Sequence, residues 1–170
     1  MMLRIYVIIC CFFSVTALCQ NREELQKRNG FKDIKLGMFI DSLKGSKFKK
    51  EFMEHDEFPA KLYAIENPSY DRIGEVKVDK IEIKTYKDQI YEIIVVTEKD
   101  QRLVKALESL YGKADYDIKK ETYFWKTTDL ILKFKSHSKN QLELLYISFP
   151  VCKKMKLDKN QKVDDIANDF

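Results

Sequence analysis

The hydrophobic pattern along the chain changes period several times. From Ile5 to Cys19 the residues are apolar apart from Tyr6, Ser14 and Thr16, and from Gln20 to Gly30 they are polar, with Leu25 the only large apolar side chain. The first run reads as a targeting segment and the second as a solvated arm or a frayed helix. Beyond Phe31, Ile34 and Leu36, the residues Ile40, Leu43, Phe48 and Phe52 recur near helical spacing. That predicts a helix, weakened at Gly45 by about 1 kcal/mol relative to Ala. Pro59 argues against its continuing past Phe58.

A strand pattern follows. Leu62 to Glu66 reads as a short strand closed by Asn67-Pro68-Ser69. Val76 and Val78 share one parity and Ile81, Ile83 and Thr85 the other, so a bulge near Asp79-Lys80 is expected to bring both sets to one face. Lys87-Asp88-Gln89 then connects into the β-branched run Ile90 to Val96. The clearest helix comes next. Thr97 is its expected N-cap, Asp100 sits at its positive end, Leu103, Val104, Leu107, Leu110 and Tyr111 form one stripe, and Gly112 ends it.

Asp117 to Lys126, Leu130 to Lys135 and Gln141 to Phe149 read as three further strands, with turns at Thr127-Thr128-Asp129 and Ser136 to Asn140. Leu130, Leu132 and Phe134 alternate with Lys133 and Lys135, the mark of an antiparallel sheet with one wet face. Pro150 stops the last strand. In the charged tail beyond it, residues 151–170, Val163, Ile166 and Phe170 fall at helical spacing, so a short helix docked on the body competes with a frayed end. The expected fold class is therefore α+β: an antiparallel sheet of about six strands with two to three helices. It forms a single domain over residues 31–150, preceded by a polar arm at 20–30.

Residues 38–97 and 98–149 both read as a helical segment followed by about three strands, a candidate tandem αβββ repeat in element order. The stretch Phe31-x-x-Ile34-x-Leu36-Gly37-Met38-x-Ile40-Asp41-x-Leu43 resembles the entry motif of small exported bacterial proteins related to the β-lactamase-inhibitor-protein and SmpA/OmlA-like domains. Leu107-x-x-Leu110-Tyr111-Gly112-Lys113 and the aromatic strand at Tyr123-Phe124-Trp125 are similar to the matching second part. Two departures stand out: Phe39 occupies the place of a Ser or Thr cap, and Gly45 interrupts the first helix. The resemblance implies a concave antiparallel sheet with helices on one side, in proteins that mostly bind other proteins or have no known activity. It carries over no catalytic residues.

Arg4 followed by the apolar run at Ile5–Cys19 is the layout of a secretory signal, and the run is shorter than the about 20 residues that a spanning helix needs. Cleavage is expected after Ala17 or after Cys19, making residues 1–19 the signal and the mature protein secreted or periplasmic, with no transmembrane segment. The competing readings are a retained anchor and a lipid on Cys19. Leu18 is larger than the residue that usually precedes a lipidated cysteine.

Of the 170 residues 45% are hydrophobic and 34% charged, the composition of a folded domain. Losing Arg4 with the signal brings the chain's net charge below the +4 of the full sequence. The remaining basic residues are mostly Lys, which lacks the planar fork suited to phosphate and base edges, so nucleic acid is not an expected partner. Cys10 and Cys11 fall in the signal, leaving Cys152 and, after cleavage at Ala17, Cys19. At most one disulfide can form, and the fold must rest on a hydrophobic core.

No G-x-S-x-G, H-E-x-x-H, P-loop or paired C-x-x-C motif is present. His55 lies in Glu54-His55-Asp56-Glu57, where consecutive residues do not converge on one metal, and His137 lies in a polar turn. The carboxylate pairs Glu23-Glu24 and Asp164-Asp165 fall in the arm and the tail. No catalytic residue, metal ligand or cofactor is assigned. Tyr91, Tyr123, Trp125 and Tyr146 form a candidate binding surface, since aromatics bury much area at low entropic cost. Burial of Trp125 in the core is the competing reading. The functional expectation is a non-enzymatic binding module for another envelope or extracellular protein. An envelope-anchored assembly factor and a periplasmic hydrolase using His137 or Cys152 are the alternatives.

Overall fold

The computed structural model describes residues 16–168. Helix α1 (Thr16–Arg28) leads into a small hairpin, β1 (Gly30–Phe31) and β2 (Ile34–Lys35), and a 3₁₀ turn at Ile40–Ser42. Strands β3 (Ser46–Glu54), β4 (Phe58–Ile65), β5 (Arg72–Ile73), β6 (Val76–Tyr86) and β7 (Gln89–Glu98) follow. After them come α2 (Gln101–Tyr111), β8 (Asp115–Asp117), β9 (Thr122–Lys126), β10 (Leu130–Ser138), β11 (Gln141–Ser148) and α3 (Phe149–Asn168).

The protein is α+β, with a nine-stranded antiparallel sheet in the order β3-β4-β6-β7-β11-β10-β9-β8 and β5 paired to β6 off this path. The sheet is larger than the expected six because β3, β5 and β8 join it. β3 forms where a helix was expected. Residues four apart share a face in a helix and in a regular strand alike, so spacing alone does not separate the two, and in β3 a bulge between Phe48 and Lys50 turns Phe48 and Phe52 to opposite faces. Gly45 decides against the helix: its φ is +86°, and a Cβ there would meet the Glu66 carbonyl oxygen at 2.7 Å. The expected strand from Asp117 to Lys126 is instead the β8–β9 hairpin, turning where Glu121 adopts φ +48°.

The first half opens with a 3₁₀ turn and the second with α2, and each continues into four strands of the main sheet path, not about three, with β5 an addition to the first.

The shift in parity along β6 is a bulge between Val78 and Lys80, and Val76, Val78, Ile81 and Ile83 are all buried. Lys87 and Asp88 make the tight turn into β7 with φ of +47° and +61°, as a two-residue hairpin turn requires. Helix α1 lays Leu25, and α2 lays Leu103, Leu107 and Tyr111, against one face of the sheet through Ile83, Ile93, Val95, Leu132 and Leu144. The segment expected as a solvated arm or a frayed helix is helical to Arg28, and Leu25 is fully buried.

The cap of α2 is Asp100, whose carboxylate accepts from the Arg102 amide at 2.7 Å, and not Thr97. Thr97 stays in β7, paired with both Val78 and Leu142, and its hydroxyl donates to the Glu98 carbonyl. Pro150 stops β11 and sits in the first turn of α3, where its missing N–H costs nothing.

Helix α3 crosses the opposite face at the β6–β7 turn, burying Val151 and Met155 against Phe58, Ala60, Tyr86 and Tyr91. Helices therefore lie on both faces, not on one. The tail is a 20-residue helix, but its docking stripe is not the expected one: Val163 and Ile166 are 56% and 61% exposed. The apolar run up to residue 15, which carries the signal reading, and Phe170 lie outside the described residues; Ala17 and Cys19 fall at the start of α1. Among the described residues no helix is long and apolar enough to cross a membrane.

Candidate functional site

The four aromatics of the candidate surface do not share one. Trp125 is fully buried, and Tyr91 and Tyr146 are also core residues. Trp125 faces α2 and makes an edge contact with Tyr111 at 6.1 Å, while Tyr146, on the centrally placed β11, packs near Phe31. A bulge in β7 turns Tyr91 under α3: Ile90 pairs with Thr85 and Glu92 with Lys84, leaving Tyr91 between them. Only Tyr123 is exposed, at 43%. It stacks on Phe134 at 4.9 Å and meets its cross-strand partner Tyr116 at 4.5 Å, so this exposed tyrosine pair sits at the β8 edge. Tyr116 was not among the expected residues because the single strand read from Asp117 to Lys126 hid the hairpin that pairs it.

The residues weighed for chemistry are dispersed. His55 sits in the β3–β4 turn, exposed, with its ring 3.6 Å from a Glu54 oxygen. His137 contacts the Glu143 carboxylate at 2.9 Å near the end of β10. Cys152 lies half-buried on α3, where burial pushes its thiol up and keeps it protonated at neutral pH. Asp164 and Asp165 stand on the exposed end of α3, and Glu24 pairs with Arg28 along α1. Among the described residues no three His, Cys, Asp or Glu side chains come together to hold a metal.

One polar cluster is built into the packing of α3. Lys84 bridges Glu54 and Glu92 at 2.9 Å each, and the Tyr91 hydroxyl donates to Glu54 at 2.7 Å. Burial raises the Glu92 carboxyl above its ordinary value despite Lys84. Burial acts on Glu54 as well, but the Tyr91 and Lys84 hydrogen bonds outweigh it and hold this carboxyl low. The cluster is closed on itself and fixes strand β3 against β6 and β7.

The rest of the same sheet face is open. Over β9–β11 lies a groove of about 630 Å³. Its floor is Phe124, Ile131 and Leu145, each half-buried, and its rim carries Lys120, Lys126, Lys133 and Lys135. The strand register explains the arrangement. Lys133 pairs with both Phe124 and Leu145, so its ammonium stem rises between two apolar side chains, and Ile131 pairs with both Lys126 and Ile147.

The alternation of Lys133 and Lys135 with Leu130, Leu132 and Phe134 marked this face as wet. That Phe124 completes its floor follows from its lying opposite Trp125 on β9.

Charge in the groove is unbalanced. Of the two lining acids, Glu143 is engaged by Lys135 at 3.3 Å and by His137, and the Asp117 carboxylate accepts backbone N–H bonds from Lys119 and Lys120. Among the described residues no carboxylate lies within salt-bridge distance of Lys120, Lys126 or Lys133; Lys126 rests over the Phe149 ring at 5.6 Å. An apolar floor with unneutralised ammonium groups around it suits an amphipathic anionic ligand. No protein-family model, curated protein or solved structure matches the chain.

Proposed function

We propose that this protein is a non-enzymatic binding module, exported from the cytoplasm, that holds a protein partner against the β9–β11 groove. The observation that carries the reading is Lys133, half-buried between Phe124 and Leu145 with no carboxylate among the described residues within salt-bridge distance of it. A partner that supplies apolar side chains to the floor and acidic groups to the rim would gain both desolvation and charge pairing. The export signal and the resemblance to exported binding domains agree with this reading.

A photo-crosslinking residue placed at Ile131, in the groove floor, tests it against the same residue at Lys105 on the outer face of α2. Covalent capture of protein from Ile131 and not from Lys105 is the expected result. Equal capture at both, or none at Ile131, removes the groove as the site.

A further inference from the structure

We infer that α3 is a strap: hinged at Phe149, it lifts off the sheet as a unit while the sheet stays folded, and uncovers the apolar patch beneath it. Such a strap is independent of what fills the groove.

The helix is held through its first half alone. Val151 and Met155 are its buried side chains, and from Asn160 to Asn168 every residue is exposed. Its other attachments are polar and lie near the surface. Lys154 donates to Gln89 at 2.8 Å, the Asp158 carboxylate takes Lys87 and the Tyr86 hydroxyl, and Lys159 pairs with Glu57 at 2.8 Å. Pairs of this kind contribute little in water. Two buried side chains and a few surface pairs are a small hold for a helix of 20 residues, and a segment with few buried apolar contacts opens at the low end of the free-energy range.

The sheet does not need the helix for its own bonding. Among the described residues, the one backbone hydrogen bond from α3 to another part of the chain runs from the Phe149 amide to the Asp129 carbonyl at 2.8 Å, and Lys126 lies over the Phe149 ring at 5.6 Å. Both contacts anchor the base of the helix and leave the rest free to swing. The charges packed under α3 are satisfied between strands: Lys84 bridges Glu54 and Glu92, and the Tyr91 hydroxyl donates to Glu54. Lifting the helix therefore strands no buried charge. The main core, with Ile83, Ile93, Val95 and Leu144, lies on the other face of the sheet under α1 and α2.

The patch that opens consists of Phe58, Ala60, Tyr86 and Tyr91. It continues the face that carries the groove. Ile131 pairs with Ile147, Ile147 with Glu92, and Glu92 with Lys84, so one row of side chains runs from β10 across β11 and β7 to β6. Raising the strap lengthens the exposed part of this face toward β6 and β4.

Two buried thiol probes in a Cys152→Ser background of the protein lacking its signal test this. Ala60→Cys lies under α3 and Val95→Cys in the core on the opposite face, at positions 4% and 0% exposed. A maleimide reaches the first when the strap lifts and the second only when the domain unfolds. Labelling is read by peptide mass spectrometry at several low urea concentrations. The expected rate at Ala60→Cys is roughly tenfold or more above that at Val95→Cys, with a weaker dependence on urea because lifting exposes less surface than unfolding. Met155→Ala should raise it about tenfold further and leave Val95→Cys unchanged. Equal rates with equal urea dependence at the two probes, or an equal acceleration of both by Met155→Ala, overturns the inference. Amide hydrogen exchange of the unsubstituted protein repeats the comparison whether or not the thiol variants fold. The amides of Met155 to Lys159 should exchange faster than those of β6, β7 and β11, and equal protection ends the strap.

Discussion

The indole N–H of Trp125 donates a 2.7 Å hydrogen bond to the carbonyl oxygen of Gly112, tying the centre of β9 to the residue that ends α2. Gly112 has φ +77°, so the helix stops there and its carbonyl is left to seek a partner outside the helix. The only tryptophan in the chain supplies it while filling the space between Tyr111 and Phe134.

Trp125→Phe keeps an aromatic ring but leaves that carbonyl unpaired, and should destabilise the protein by about 1–3 kcal/mol. Urea titration followed by far-UV circular dichroism measures it. A midpoint unchanged from wild type would show that the bond contributes nothing. In the wild type, tryptophan emission should be blue-shifted when folded and move to the red in one step with unfolding, because Trp125 is fully buried.

Gly45→Ala should cost more than an ordinary surface substitution, about 1–3 kcal/mol, because it combines a positive φ with a Cβ placed 2.7 Å from the Glu66 carbonyl oxygen. Gly74→Ala is the control, since it too has a positive φ but open space around its Cβ position. Denaturation midpoints of the two variants separate steric collision from backbone strain.

Tyr91→Phe removes the hydroxyl that donates to Glu54 at 2.7 Å and should cost about 1–2 kcal/mol. It should also raise the Glu54 pKa, because that bond helps hold the carboxyl below its ordinary 4.5. The carboxyl carbon shift of Glu54, followed by NMR between wild type and variant, reads this directly. An unmoved titration curve would place the cause with Lys84 alone.

Acidification should loosen α3. The hydrogen bond from Lys87, with that from the Tyr86 hydroxyl, holds the Asp158 carboxyl below the ordinary 3.8. A carboxyl depressed in the folded state contributes stability that is fully present above its unfolded value and disappears as the pH falls through its folded one. Glu92, raised by burial, acts in the opposite sense: its ionisation weakens the fold as the pH rises past 4.5. Stability measured from neutral pH down to about pH 2 should therefore fall less steeply in Asp158→Asn than in the wild type.

Cys152 should react slowly with a maleimide at neutral pH while the protein is folded and fast once it is unfolded, since burial both covers the thiol and favours its protonated form. Mass spectrometry of the peptide carrying Cys152 reads the modification.

The alternation of apolar and polar residues revealed β6, β7, β10 and β11, including the parity change at Asp79-Lys80, and the second half of β4. It failed at the margins. β3 is an edge strand whose residues are mostly exposed and whose bulge between Phe48 and Lys50 breaks the alternation, so no buried side defines its period. Capping by Thr97 was an equally local inference. A hydroxyl three residues before an aspartate looks like a cap until the two neighbouring strands claim the residue.

The groove was legible only in part. Lys133 and Lys135 marked a wet face, but a face is not a groove until the register places Phe124, Ile131 and Leu145 beside them, and pairing across three strands is a long-range fact. The same limit applies to Trp125. Its place on β9 was readable, whereas the α2 helix that covers it is brought there by the whole sheet.

Helix α3 begins at the residue after β11 ends, with no loop between them. A chain synthesised from its N-terminus completes the β6–β7 hairpin long before Val151 and Met155 exist. Until then Phe58, Ala60, Tyr86 and Tyr91 face the solvent, and β7 lacks the neighbour that β11 becomes. Folding must therefore wait for the last fifth or so of the polypeptide, and during that interval a half-built sheet offers both an open edge and a bare apolar face. The segment that seals the domain is also the last to arrive.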